Sequence, residues 1–522
     1  MRKNMLDTIG MSFAMRLLNM ALGILITPVL FRMMGQEELA GWFLVINSIP
    51  FLGLMDFGLT PTLWRRIALL YGKTTVAKSE RRQSLLDKRM RQMFSTGKTL
   101  FETRSLIALA ISLIGGLIYV STLELSKGAR NDAMIGWAIV AVSQAIQIRG
   151  SIWSVFLVTT GNAAVDVAIT MVTSTLDLVF RFVVVILGGG VIALASVTAV
   201  FVIARRVLSA HFARKRLSRW VSSREPFSRV LVGSLVPAMA SAWMINLGNF
   251  LLLRTDQYFI ASMLGPSKMP AYQGTYQVIS SLSQMALLTG GAVMVFLSHS
   301  WASGQVGSFR TIISLSFKMA MAILWFGAAT LLAIGSSFFG LWLDGNFVGY
   351  GLVSIFVVST ILNAQTSMLM DADRSTEHEV YGRVTILCGV LNVIITYFMA
   401  RYFGLIGVAA STTIAMMLTT GWIAARNAQV RLGIGFFSLL LPIHLRSAAL
   451  AACVFGLIKL LELAIGPEQM SAQFKVVLGI LVGPPALAAW IWFGILSGPQ
   501  RTTILEHART TIARFMPTRS SS

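Results

Sequence analysis

A chain of 522 residues that is 55% hydrophobic and carries a formal net charge of +22 is neither an ordinary soluble protein nor a nucleic-acid binder. Its mean hydropathy of +0.73 is too high for water, and its basic residues lie between apolar segments without interleaved aromatic residues. The two cysteines, Cys388 and Cys453, both fall in apolar segments, which argues against a disulfide framework or a Cys-rich metal site.

Roughly fourteen apolar stretches have membrane-spanning length. They are expected near 11–31, 41–63, 105–122, 134–159, 167–187, 191–208, 231–262, 270–297, 311–334, 349–370, 381–400, 405–424, 438–461 and 475–497. The expected fold class is therefore an all-α membrane protein: a lobe over 1–229, a like-oriented lobe over 230–437, two additional helices over 438–497 and a tail over 498–522. The first apolar run leads into the body of the chain without a small-residue cleavage site, so no removable signal is expected. The seventh span exceeds one bilayer crossing and should tilt, kink or extend beyond the membrane.

Lysine and arginine set the expected orientation. The 65–104 connection carries Arg65, Arg66, Lys73, Lys78, Arg81, Arg82, Lys88, Arg89, Arg91, Lys98 and Arg104. The 205–229 connection carries Arg205, Arg206, Arg214, Lys215, Arg216, Arg219, Arg224 and Arg229. Roughly 30 basic residues fall on the side of the two termini and about 6 on the other, which places both termini in the cytoplasm. The basic connections are read as topology signals and as attraction to anionic lipid.

Polar groups inside apolar spans must face protein or water, because a charge at a helix centre costs at least ~2.5–3.5 kcal/mol. The first span sets Ser12, Arg16, Asn19, Gly23 and Thr27 along one helical face, with Pro28 as a bend near its outer end. Arg16 either faces a cavity or snorkels. Asp56 closes the second span as a cap or a loop residue. Arg149 lies near the middle of the fourth span, and whether it faces a cavity or stacks on Trp153 stays open. In the fifth span Thr170, Ser174, Asp177 and Arg181 share a face, and Asp177 and Arg181 are one turn apart and can pair. The seventh span offers Asn246, Asn249, Leu253 and Asp256 on one broad face, with Arg254 nearly opposite Asp256 and Pro237 as a candidate kink. The eighth offers Gln273, Gln277, Ser281 and Gln284. Such stripes either line a wet cavity or join helices. Lys318, His444, Arg446 and Lys459 are expected near interfaces, and Asp371, Asp373, Arg374, Glu377 and Glu379 read as a solvated loop.

Two strings echo each other. Residues 30–45 read LFRMMGQEELAGWFLV and residues 260–275 read IASMLGPSKMPAYQGT, each with a glycine seven positions before an aromatic residue (Gly35 to Trp42, Gly265 to Tyr272). A weaker echo links ILGGGVIALAS (186–196) with YFGLIGVAAST (402–412). Parallel repeats of this kind are a transporter pattern. The first string, followed by FLGLMDFGLTPTLWRR (51–66) with its Asp56-Phe57-Gly58-Leu59 run, resembles the opening of polysaccharide-type flippases of the multidrug/oligosaccharidyl-lipid/polysaccharide (MOP) exporter superfamily. RTDQYFIASMLGPSKMPAY (254–272) resembles the matching point of the second half, and LNVIITYFMARYFGLIGVAASTTI (391–414) is similar to the family's Leu-Asn start and Phe-Gly-x-x-Gly-x-Ala-Ala turn. The resemblance covers about the first 430 residues. It implies an inner-membrane flippase that moves a polyprenyl-pyrophosphate-linked oligosaccharide outward by alternating access.

Arginine suits a pyrophosphate because its fork binds phosphate oxygens in pairs. Arg16 and Arg181, with Arg149 or Arg254, are the expected cationic lining, and Ser12, Asn19, Thr170 and Gln277 the expected contacts to sugar hydroxyls. Asp177 or Asp256 is a candidate to carry a coupling proton or sodium ion, and a route driven by membrane potential is equally open. The expected partners are the bilayer, the lipid-linked glycan and a polysaccharide polymerase with its export machinery. No other cofactor and no nucleic acid is expected. The alternatives are a multidrug exporter of the same superfamily, which needs an acidic aromatic cavity, and a membrane glycan polymerase or glycosyltransferase. The latter needs a large outer loop with converging carboxylates, and the expected outer loops are short.

Overall fold

The computed structural model describes residues 2–75, 79–222, 225–291, 297–298, 300–301, 303–376, 378, 380–466, 470–498 and 500–502, with side chains from residue 18 onward except 288–291. Every regular element among them is helical. Ten described stretches are long and apolar enough to cross a membrane, which makes this a multi-pass membrane protein.

The helices are α1 (Arg2–Met33), α2 (Gln36–Gly53), α3 (Leu59–Thr75), α4 (Glu80–Ser121), α5 (Lys127–Leu157), α6 (Ala163–Ile186), α7 (Val191–Arg216) and the single turn α8 (Ser218–Val221). They continue as α9 (Arg229–Leu253), the short α10 (Asp256–Phe259), α11 (Met269–Gly291), α12 (Val306–Trp342) and α13 (Tyr350–Arg374). The chain then runs through α14 (Tyr381–Leu418), α15 (Thr420–Leu432), α16 (Leu441–Ile465) and α17 (Ala472–Trp490).

Two apolar stretches hold a reversal and so supply two crossings each. Thr396 and Ser411 hydroxyls meet at 2.6 Å, although a straight helix would separate them by about 22 Å. The turn falls at Gly404, whose φ is +58°. Ser154 and Asp166 likewise both meet Ser209, with Gly161 at φ +81° between them. The expected breaks near 400–405 and 159–167 therefore lie where the chain turns.

The second span ends earlier than expected. A 3₁₀ turn at Leu54–Asp56 follows α2, then Phe57 and Gly58 take left-handed backbone and α3 leaves as a separate helix. Gly58 is required there twice over. Its φ is +71°, and a Cβ would lie 2.3 Å from the Met239 carbonyl. The Trp243 indole donates to the Leu54 carbonyl at 3.1 Å, fixing this corner against α9.

The 65–104 connection is folded rather than loop. After α3, α4 runs 42 residues without a break, about 63 Å, or twice the thickness of a bilayer core. Its charged first half hides an apolar stripe, Met90, Met93, Phe94 and Phe101, that joins Leu59, Leu63 and Ile67 of α3 in one buried cluster. Ile152, Phe156, Leu217 and Trp220 from α5 and the α7–α8 end complete it. Asp87 holds the two basic connections together. It accepts from the Trp220 indole at 2.8 Å and pairs with Arg219.

By internal packing the chain forms two units. The first comprises residues 1–278, 342–355 and 379–420, the second residues 279–341, 356–378 and 421–522. In the second unit α16 packs on α12 through Phe326, Ile334, Val454 and Ile458, and Leu478 and Val482 of α17 pack against that cluster. Glu462 of α16 accepts from Lys459 and from Lys475 of α17, each at 2.8 Å, which pins that hairpin. His444 bonds Gln365 at 2.7 Å and accepts the Trp325 indole N–H at Nδ1, 3.1 Å away, joining α16, α13 and α12. Because indole only donates, the imidazole is neutral with its proton on Nε2.

Asp373 corrects another expectation. It is fully buried, paired with Arg431 and bonded to His378 at 2.7 Å, so it is a structural knot rather than part of a solvated loop. Its partner Arg431 lies 58 residues downstream, beyond the reach of local sequence reasoning. Arg374 reaches Asp371 at 3.8 Å, and Glu377 and Glu379 lie outside the described residues.

Candidate functional site

The first unit contains a helix that breaks within an apolar region. α9 stops at Leu253, Arg254 and Thr255 leave the helix, and α10 resumes at Asp256. A π-turn over Ile260–Leu264 follows and ends at Gly265, φ +98°. Interrupted helices inside membranes are tolerated where protein or water satisfies the freed backbone. Here Asn392 of α14, itself fully buried, donates to the carbonyls of Leu251 at 3.1 Å and Leu252 at 3.3 Å. Thr255 turns its hydroxyl back onto the Leu251 carbonyl at 2.7 Å. Gly248 and Gly389 make this possible, since a Cβ on either would lie within 2.7 Å of the facing backbone.

In front of the break lies a cleft of about 260 Å³ between α2 and α9. Pro50, Gly53 and Leu54 form one wall; Asn246, Asn249, Phe250, Leu253 and Arg254 form the other. The two asparagines are exposed to it. Arg254 makes no ion pair or side-chain hydrogen bond among the described residues, and no carboxylate lines the cleft. A lone guanidinium sharing a cleft with two free amides and the Phe250 ring can bind an anion and the hydroxyls attached to it.

Asp256 is two residues from Arg254 but does not line the cleft. Its Oδ2 accepts the Tyr272 hydroxyl at 2.7 Å, and its Oδ1 is buried without a partner among the described residues. Gln257 donates to Gln273 at 2.5 Å, so α10 is tied to α11 twice.

The other candidates are distributed. Asn19 joins α1 to α6, donating to Ser174 at 2.8 Å and accepting from Thr175 at 3.0 Å. Gln277 joins α11 to α1, accepting from Thr27 at 3.0 Å and donating to the Gly23 carbonyl at 2.8 Å. The polar face of the first span thus serves two neighbouring helices from Asn19 onward. Arg181 pairs with Asp177 at 2.6 Å, and its guanidinium lies 5.9 Å from the Trp42 ring. Arg149 is mostly exposed and reaches Glu102 of α4 at 3.2 Å, while Trp153 carries Arg214 rather than Arg149 on its face, at 5.0 Å. Asp56 caps α3, its Oδ2 accepting the Thr60 N–H at 3.0 Å, and Arg104 donates to the Asp56 carbonyl at 2.8 Å. Ser12 and Arg16 lie outside the described side chains. Of the residues singled out from sequence, Arg254 lines the cleft together with Asn246, Asn249 and Leu253 of the same span, and Asn19, Arg149, Arg181, Gln277, Asp56, Asp177 and Asp256 lie elsewhere. Asn392 was missed as a capping residue, because its acceptors lie 140 and 141 positions upstream.

No protein-family model matches the sequence, and no curated protein does. Solved structures do match in three dimensions. A lipid II flippase, MurJ, in an inward closed conformation superposes with a TM-score of 0.64 at 13% identity, covering 92% of this chain and 98% of that one. An inward-facing multidrug resistance MATE family transporter of the MOP superfamily superposes with a TM-score of 0.62 at 15% identity, covering 79% and 94%. A MOP superfamily transporter from Pyrococcus furiosus, described as having a binding pocket of reverse polarity that suggests a different function, superposes with a TM-score of 0.52 at 17% identity, covering 82% and 94%. These are transporters and a flippase rather than enzymes. At such identities the likeness is one of architecture, and the chain has the all-helical fold of these MOP-type transporters.

Proposed function

We propose that this protein is a flippase that carries an anionic, lipid-linked oligosaccharide, of the polyprenyl-pyrophosphate class, from the inner to the outer leaflet of a bacterial inner membrane. The observation that carries this reading is Arg254, a cation without a carboxylate partner among the described residues, set at a helix break beside Asn246 and Asn249. A pyrophosphate supplies the missing negative charge, the amides meet sugar hydroxyls, and the polyprenyl chain stays in lipid. The fold likeness to a lipid II flippase over nearly the whole of both chains supports the same substrate class. A cation exporter would need acidic groups in the cleft, and none among the described residues lines it. Both termini face the cytoplasm in this reading, a proton or sodium gradient or the membrane potential supplies the drive, and a glycan polymerase takes the product.

The test is translocation of a fluorescent polyprenyl-pyrophosphate glycan in vesicles containing the full chain. Arg254→Ala should lower the rate at least tenfold and Arg254→Lys less, because lysine keeps the charge and loses the fork. Asn246→Ala with Asn249→Ala should raise the substrate concentration needed for half-maximal rate. Full activity in a well-folded Arg254→Ala variant overturns the reading. Repeating the assay with proton and sodium gradients collapsed in turn identifies the drive, and indifference to both removes the coupling role of Asp177 and Asp256.

A further inference from the structure

A second pocket of about 360 Å³ lies at the basic pole of the first unit, on α4, α5 and the α7–α8 end. Phe94 and Trp153 form its apolar wall, their rings 5.0 Å apart. Lys98 and Arg214 reach it from two different helices, with Arg214 over the open face of Trp153. Neither cation has an ion-pair partner among the described residues. The nearby acids are already engaged: Glu102 with Arg149 and Glu225 with Arg91, each at 3.2 Å. The Ser95 hydroxyl is committed to the Glu225 carbonyl at 2.6 Å, which holds the pocket edge in place. Two unmatched cations converging on a rigid aromatic wall form a site for a singly or doubly charged oxyanion.

We propose that this pocket binds the phosphate of an anionic phospholipid headgroup. The lipid source is favoured by what continues from the pocket. Val142 of α5 and Val207 of α7 lie two to three helical turns away, on the same faces as Trp153 and Arg214; Leu106 of α4 lies about two turns from Lys98 and about 80° around its helix, and all three are exposed. Acyl chains lying on those faces would leave a headgroup level with the two cations, as in basic pockets between membrane helices that take anionic lipids. A soluble phosphate uses the same charges but gains nothing from the apolar faces. The site is separate from the α2–α9 cleft and does not depend on its role.

The experiment is native mass spectrometry of the full chain released from micelles, with dioctanoyl phosphatidylglycerol, dioctanoyl phosphatidylcholine, or inorganic phosphate and ATP at matched ionic strength. Phosphatidylglycerol should bind at least tenfold more tightly than phosphatidylcholine. Lys98→Gln with Arg214→Gln should remove that preference, and Lys98→Arg with Arg214→Lys should keep it. Arg65→Gln with Lys73→Gln, which removes the same charge from the exposed face of α3, should leave it unchanged. Equal loss in the α3 variant means a diffuse field rather than a site and overturns the proposal. Phosphate or ATP that binds this pocket as tightly as the lipid assigns it to a soluble anion and overturns the lipid source.

Discussion

Asn392 lets the energetics of the broken helix be weighed. Replacing it with leucine keeps the volume and removes two donors. The Leu251 carbonyl retains Thr255 at 2.7 Å, but among the described side chains the Leu252 carbonyl keeps only Thr412 at 3.5 Å, the limit of a hydrogen bond. Two lost bonds at about 0.5–1.5 kcal/mol each, plus about 1–3 kcal/mol for a nearly orphaned buried carbonyl, are opposed by one gain. The Asn392 Oδ1 has no partner among the described residues, so its removal relieves about 1 kcal/mol. The net expectation for Asn392→Leu is a loss of about 1–5 kcal/mol. Asn392→Asp should be worse, because a buried carboxylate would face two carbonyl oxygens. Equilibrium unfolding of the reconstituted chain in mixed micelles, followed by helical ellipticity, reads both. If Asn392→Leu stays within about 0.5 kcal/mol of wild type and Asn392→Asp is no worse, the capping argument is wrong.

Further expectations follow from other contacts. Gly58→Ala places a methyl against the Met239 carbonyl in left-handed backbone and should cost about 2–4 kcal/mol in the same unfolding assay. Arg181→Ala should destabilise by about 3 kcal/mol by leaving Asp177 unpaired, and adding Asp177→Asn should recover most of the loss. Failure of that rescue, with transport lost in both variants, would point instead to substrate contact by Arg181. Asp373→Ala should cost about 3–5 kcal/mol, since Arg431 and His378 lose a buried common partner, and thermal unfolding of the full chain checks it.

What the sequence made legible was what depends on near neighbours. Apolar windows marked the crossings, the four-residue spacing of Asp177 and Arg181 marked their pairing, and Gly404 fell within an expected break. Contacts between distant segments left no such trace. Arg149 finds Glu102 47 residues away, and Asn392 meets α9 from 140 residues downstream. The start of α4 was obscured for another reason. Its helical period is present at Leu86, Met90, Met93 and Phe94, but the intervening charges lower the window average that reveals membrane spans. Arg254 was visible as a residue in an apolar span, but the break in its helix, which sets its place in the cleft, was not.

The unbroken length of α4 has a mechanical consequence. One rod meets the rest of the first unit at three heights: Asp87 grips Arg219 at one end, Arg104 holds the Asp56 corner midway, and Tyr119 donates to the Tyr258 carbonyl near the other end, four residues from Arg254. From Asp87 to Tyr119 is about 48 Å of helix that can neither shorten nor stretch. A tilt imposed at the charged pole must therefore reappear, level by level, beside the cleft.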